Sequence, residues 1–365
     1  MNFGNKKDIS ILVPCFNVSF FLERFFKSVL KQDLKDISFI FCDDFSTDNT
    51  YSLLLNFKKE NPDINIKIFQ NPQNLGLAET RNKLIDEVKT AYFYFIDPDD
   101  CLINKDAFNE FKDLVEMYPE TDIFVSKGKV KIEISKFNFI LKHFSFDNPL
   151  LNNVELKKSG FIDPKKYISQ NHPFAWNILI KTSFFKMLNV RYLKNHVMED
   201  FSVGYYMFFM AKKCYFINKY NHIYNCRPNS ITFTVNFKKI NDLAENIEYL
   251  YNLLESKNLL NSFIYDYKIE NTFMKRVIFG LTYKNLYGKH VKHSVYYYEY
   301  FERMEHVLDN WGIIKRVRNE KNKGFFYNCL KKYIKISNKV LYFAEKADSK
   351  KKFPAYKTLP IKEYK

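Results

Sequence analysis

Tyr92–Asp100 reads "YFYFIDPDD", an unbroken run of aromatic and aliphatic residues that stops at three carboxylates in four positions. A continuous apolar run of this length belongs to a strand covered on both faces, as in parallel sheets. Asp97 precedes a proline and is therefore held extended, and Pro98 fixes the bend that follows. Asp99 then lies close enough to Asp97 for both carboxylates to face one cation. Hard divalent ions take oxygen ligands, and Mg2+ uses one or two carboxylates beside substrate phosphates. The competing reading is a capped turn, with Asp99 or Asp100 starting the next helix.

The flanking sequence supports the first reading, because its hydrophobic period alternates. "ISILVPCF" (9–16), "ISFIFCDD" (37–44), "INIKIFQN" (64–71), "AYFYFID" (91–97) and "DIFVSKGKVKI" (122–132) have the character of strands. Between them, "FFLERFFKSVLKQ" (20–32), "TYSLLLNFKKEN" (50–61), "LAETRNKLIDEV" (77–88) and "KDAFNEFKDLVEMY" (105–118) repeat apolar residues at helical spacing. The pattern predicts a mainly parallel sheet with helices on both faces. Right-handed crossovers put every strand's C-terminal end on one edge, where such sheets bind their ligands.

That edge gathers the carboxylates. "VPCFN" follows the first strand, "CDDFSTDNT" the second and "IDPDD" the fourth, so Asp43, Asp44, Asp97 and Asp99 are expected to line one crevice. Within the second loop, Thr47 and Asp48 suit helix capping. Two successive Asp at the end of a buried strand also suit acceptance from the ring N–H of a base.

Four motifs occur in order across the first 110 residues: a strand ending Pro14-x-Phe16-Asn17, D-D-x-S-x-D from Asp43, N-x-G-x-x-x-x-R-N from Asn74, and D-x-D from Asp97. The ordered set resembles the nucleotide-sugar domain of family 2 glycosyltransferases. The resemblance implies an α/β GT-A fold, Rossmann-like, with a mainly parallel sheet flanked by helices. It also implies inverting transfer of a hexose or N-acetylhexosamine from a UDP-sugar to a hydroxyl. Asp44, with Asp43 beside it, would read the uracil ring, and the turn containing Pro14, Phe16 and Asn17 would border that base. Arg81 would lie near the diphosphate or the base. Asp97 and Asp99 would hold Mn2+ or Mg2+ on the diphosphate. Thr80 stands where many members have Ala.

Inverting transfer also needs a base on the face of the sugar opposite the leaving UDP, and a carboxylate in hydrogen-bond reach of the acceptor hydroxyl suffices. "MEDFSVGYY" (198–206) resembles the family's E-D pair, which would make Asp200 that base and Glu199 an acceptor contact. Asp200 equally suits capping of the helix that follows. "PFAWN" (173–177) offers Trp176 either as an acceptor-stacking ring or as a core residue. "YNCRPNSIT" (224–232) resembles a recurring Y-x-x-R-x-x-S stretch. Its Tyr224, Arg227 and Ser230 would close over the diphosphate, Arg227 by charge-assisted hydrogen bonds, or form a strand and turn beneath the site. His222 is a metal or diphosphate contact or a structural residue.

Composition narrows the setting. Of 365 residues, 46% are hydrophobic and 18% aromatic, which excludes disorder throughout. Six scattered cysteines without a C-x-x-C pair argue against a disulfide framework or zinc site and for a reducing compartment. There is no signal-peptide-like start and no apolar run long enough to span a bilayer. The net charge is +16, of which roughly +12 falls in residues 311–365. Such a tail suits an anionic membrane face, or else a solvated terminus.

The expected organisation is therefore a GT-A domain over 1–240, with 1–130 as nucleotide-sugar half and 131–240 as acceptor half. A basic, aromatic-rich, mainly α-helical extension over 241–365 would contact membrane or acceptor. The expected setting is cytoplasmic, peripheral at the inner face of the membrane, and the expected acceptor a lipid-linked saccharide of the bacterial lipooligosaccharide or capsule type. Diacylglycerol is the alternative acceptor for the same chemistry. Nucleic acid is not an expected partner, because an acidic crevice repels a polyanion.

Overall fold

The computed structural model describes residues 8–132, 158–226 and 237–263. Strands β1 (Ile9–Cys15), β2 (Ile37–Asp43), β3 (Asn65–Gln70) and β4 (Tyr92–Phe95) alternate with helices α1 (Ser19–Val29), α2 (Thr50–Glu60) and α3 (Leu77–Asp86). These strands form the parallel block β3-β2-β1-β4. Every residue of β1 and β4 is buried, as strands covered on both faces require. Phe25 and Phe57, from α1 and α2, pack with Phe39, Phe41 and Phe108 in the core on one face.

Beyond β4 the sheet departs from the sequence expectation. The stretch 122–132 does form a strand, β6 (Ile123–Ile132), but it does not extend the parallel block. A short strand, β8 (Ile178–Lys181), inserts between β4 and β6 and runs antiparallel to both. The full order is β3-β2-β1-β4-β8-β6-β9-β5, with β9 (Cys214–Cys226) parallel to β6, and β5 (Cys101–Leu102) and β7 (Gly160–Ile162) antiparallel to β9. The result is a mixed sheet flanked by helices. "ILIK" is apolar but only four residues long, too short for periodicity to separate it from a helix segment.

Helix α4 (Ala107–Met117) starts after Asp106, so neither Asp99 nor Asp100 caps it. Three further helices follow: α5 (Pro164–Gln170), α6 (Thr182–Leu188) and α7 (Asp200–Met210). The last described helix, α8 (Phe237–Glu255), lies along α7. Among the described residues no helix is long and apolar enough to cross a membrane. Arg227, Ser230 and the basic tail lie outside the described residues.

Candidate active site

The register Cys15↔Asp43 and Leu12↔Phe95 puts the ends of β1, β2 and β4 on the same edge. The first two loops are tied together directly. Asn17, at φ 50°, donates its backbone N–H to Ser46 Oγ (2.9 Å) and accepts from Thr47 N at its side-chain oxygen (2.8 Å). Asp48 accepts from Ser19 N and Thr50 N, so it serves the starts of both α1 and α2. Phe16 and Phe45 stand out from these joined loops, each nearly half exposed. Phe45 does so at φ 61°, an uncommon conformation for a bulky side chain.

Asp43 and Asp44 are buried and already engaged. Asp43 accepts from Ser46 Oγ and N and from Gln70 Nε2. Asp44 accepts from Asn71 Nδ2 (2.7 Å), Leu75 N (2.8 Å) and Gly76 N (2.8 Å), which anchors the start of α3. Gly76 sits at φ 83°, a conformation that only glycine adopts readily, and this lets two successive N–H groups face one carboxylate.

One turn into α3, Arg81 reaches the third loop and beyond. It is 4% exposed, and its guanidinium donates to both oxygens of Asp97 (3.2 and 3.3 Å) and to Glu199 Oε1. It also lies over the Phe95 ring. Asp200, adjacent to Glu199, does not cap α7: its Oδ2 accepts from Ala175 N at 3.1 Å. Gly204 allows α7 to approach Pro173 this closely, since a Cβ there would lie 2.8 Å from the Pro173 carbonyl oxygen. One guanidinium thus bonds two carboxylates, Asp97 and Glu199, and its charge also acts on Asp200.

The electrostatics follow from that imbalance. Burial pushes the Glu199 carboxyl up to about 7 against the pull of Arg81, with Asp200 and Asp97 adding repulsion. Burial likewise raises Asp200, again opposed by Arg81. Burial alone would lower Arg81, but Glu199 and Asp97 more than offset it and hold the guanidinium charged. Both partners of the Arg81–Glu199 pair therefore shift upward, Glu199 through burial and Arg81 through the carboxylates around it. The cluster carries surplus negative charge, which a cation would relieve.

Asp99 and Asp100 complete the third loop in different ways. Asp99 is half-buried, and its carbonyl accepts from Arg24 Nη2 (2.6 Å) and Asn225 Nδ2 (2.8 Å). Asp100 is fully buried: it accepts from Asn225 N and bonds His222 Nε2, each at 2.8 Å. Burial, with Asp97 and Asp99 nearby, holds the Asp100 carboxyl well above the usual carboxylate range. His222, bonded also to Tyr94 and pushed by burial down to about 4, locks the loop to β9. Both its ring nitrogens are occupied, which is the structural alternative of the two sequence readings.

Trp176 is 9% exposed and stacked between Phe174 and Tyr224 (interplanar angles 17° and 2°), with His222 also against it. It and Tyr224 are thereby packed together beneath the third loop. Pro14 lies within β1. Sequence reasoning missed Phe45, Asn225 and the polar face of α8, none of which carries a local signal. Among the described residues no group of three or more His, Cys, Asp or Glu side chains is placed to hold a metal ion by itself. Asp97 and Asp99 supply at most two hard oxygen ligands, which fits Mg2+ or Mn2+ sites completed by substrate phosphate.

Comparison with known proteins agrees with this architecture. Residues 10–197 match the family model described as glycosyl transferase family 2. The chain is 34% identical, over 88% of its length and 94% of the relative's, to a processive diacylglycerol beta-glycosyltransferase of Mycoplasma genitalium. It is 35% identical to the same-named protein of Mycoplasma pneumoniae, over 75% and 80% of the two chains. Among solved structures it resembles S. aureus TarS 1-349 with a TM-score of 0.60, at 15% identity over 82% of this chain and 80% of that one. TarS in complex with UDP aligns over 96% and 94% of the chains with a TM-score of 0.56, at 15% identity.

Proposed function

The chain belongs to glycosyl transferase family 2, and from that premise we propose that it transfers a hexose from a UDP-sugar to the free hydroxyl of diacylglycerol with inversion at the anomeric carbon. The observation that carries this reading is the Arg81 bridge, which joins Asp97 on the donor side to Glu199 on the acceptor side. Relatives of matching length named for diacylglycerol favour that acceptor over a lipid-linked saccharide, which stays as the second reading.

The residues divide the work as follows. Asp44, with Asp43 beside it, accepts three hydrogen bonds, keeps capacity for one further donor and accepts the uracil ring N–H. Phe16 and Phe45 flank the base, with Asn17 shaping the turn and Pro14 in the strand beneath it. Asp97 and Asp99 would hold Mn2+ or Mg2+, which when bound supplies Lewis-acid neutralisation of charge building on the departing diphosphate. Asp200 takes the proton from the acceptor hydroxyl. Its raised affinity for that proton suits a general base better than an ordinary exposed Asp would. Glu199 contacts the acceptor, and Arg81 holds it in place. A basic tail gripping an anionic membrane would bring the site to its lipid.

The test is UDP release from UDP-glucose, UDP-galactose and their N-acetyl forms, with vesicles containing diacylglycerol or a polyprenyl-diphosphate-linked saccharide. A glycolipid formed from diacylglycerol vesicles and lost with EDTA supports the proposal. Turnover only with the saccharide acceptor would transfer it to the second reading.

A further inference from the structure

We propose that Asp242, on α8, is a positioning residue for the acceptor-side pair Glu199–Asp200, although α8 lies beyond the family-matched residues 10–197. The segment that delivers this pair is an awkward one. Asn195 and Met198 both sit at φ 61°, and neither is glycine. Residues in that conformation persist where their surroundings over-determine them. The surroundings here are one face of α8.

Lys238, Asp242, Glu245, Asn246 and Tyr249 recur at helical spacing, so they form a single stripe. Asp242 Oδ2 accepts from Val197 N at 2.8 Å. Lys238 Nζ donates to that same carboxylate (2.6 Å) and to the Asn195 carbonyl. His196 bridges the Lys194 carbonyl and Glu245, each at 2.6 Å. Within the first turn of α7, Ser202 Oγ donates to Asn246 Oδ1 at 2.8 Å. Arg191 N, before the segment, donates to Tyr249 Oη at 3.4 Å. Asp242 and Asn246 are 3% and 0% exposed. Buried polar side chains are retained where each has its partner, and here the partners are the segment 191–202. The stripe therefore specifies where Glu199 and Asp200 stand, and Asp242 is its centre because it fixes the backbone two residues before Glu199.

This inference rests on the reading of Asp200 as the acceptor-side base, so the experiment separates the two. Hydrogen exchange of peptides spanning 193–203 is measured in the full chain for the parent, Asp242→Ala and Asp242→Asn, alongside kcat, donor KM and UDP affinity. Asp242→Ala is expected to speed exchange in that segment at least about tenfold and to lower kcat by a similar factor, with donor KM and UDP affinity within twofold. Asp242→Asn, which keeps an oxygen to accept from Val197 N, is expected to recover most of both. Should Asp242→Ala fail to fold, Lys238→Met with Glu245→Gln reads the same segment from the more exposed members of the stripe on either side of Asp242. Unchanged exchange in 193–203 overturns the tether. Faster exchange with parental kcat overturns the positioning role, whereas parental kcat in Asp200→Asn, measured alongside, is the separate result that would remove the base. Loss of UDP affinity together with kcat would show a general collapse of the fold and likewise overturn it.

Discussion

Arg81 and Glu199 are paired in the protein interior although 118 residues separate them, and each is about 95% buried. A guanidinium there has no solvent to fall back on, and its second nitrogen holds Asp97. Replacing Arg81 with Met removes the cation that Asp97 and Glu199 share through these bonds. Breaking one side of a buried pair typically costs about 3–5 kcal/mol. Arg81→Met is expected to lose that much in chemical denaturation. Arg81→Met with Glu199→Gln should recover part of it, because the two sites are coupled and their effects do not add.

Glu199 predicts a pH dependence of stability. Its carboxyl titrates near 4.5 in an unfolded chain and is pushed up to about 7 in the fold, chiefly by burial. Between those values the folded state binds more protons than the unfolded one, so stability falls as pH rises across that window. Below it, Glu199 is neutral in both states and imposes no penalty. Glu199→Gln mimics the neutral form at every pH. The melting-temperature difference between Glu199→Gln and the parent should therefore be small near pH 4.5 and grow in favour of the variant up to pH 7. A constant difference across that range would show that Glu199 does not titrate there.

The donor and acceptor carboxylates should separate kinetically. Asp97→Ala or Asp99→Ala is expected to weaken binding of UDP in the presence of Mn2+ or Mg2+, measured by calorimetry, while binding without metal changes little. Asp200→Asn should leave that affinity intact and lower transfer by about 10²–10⁴-fold, the usual contribution of a positioned base. Transfer at the parental rate by Asp200→Asn would remove it from the mechanism.

Much of this arrangement was legible along the chain. The parallel block could be read because each of its strands is a continuous apolar run and each following helix an amphipathic one. Asp43, Asp44, Asp97 and Asp99 could be placed because crossover handedness fixes the edge on which they emerge. What stayed hidden depends on contacts between distant segments. Arg81 shows no sign in its own helix of reaching Glu199, nor Asp100 of reaching His222 and Asn225. The α8 stripe reads locally as a solvated helix face, and only its burial against 191–202 gives the polar residues their role. β8 is hidden for a different reason, being four residues long and meaningful only once β4 and β6 are both in place.

Gly128 offers a test of how the third loop is supported from below. It lies in β6 at a shift in the pairing with β9, directly against the edge of the Trp176 ring. A Cβ at this position would meet Trp176 Cζ3 at 2.1 Å and Cη2 at 2.7 Å, well inside contact distance. The ring has little room to retreat, since Phe174, Tyr224 and His222 stack against it. Overpacking of this kind costs about 1–3 kcal/mol, and Gly128→Ala is expected to lose that much stability. The displacement should also travel: His222 bonds Asp100, and Asp100 shares the turn that carries Asp97 and Asp99. Metal-dependent UDP binding is therefore expected to weaken in Gly128→Ala, whereas Gly160→Ala, whose Cβ meets nothing within 4 Å, should change neither quantity. Full metal-dependent binding in a destabilised Gly128→Ala would show that the aromatic stack supports the sheet without aligning the acidic loop.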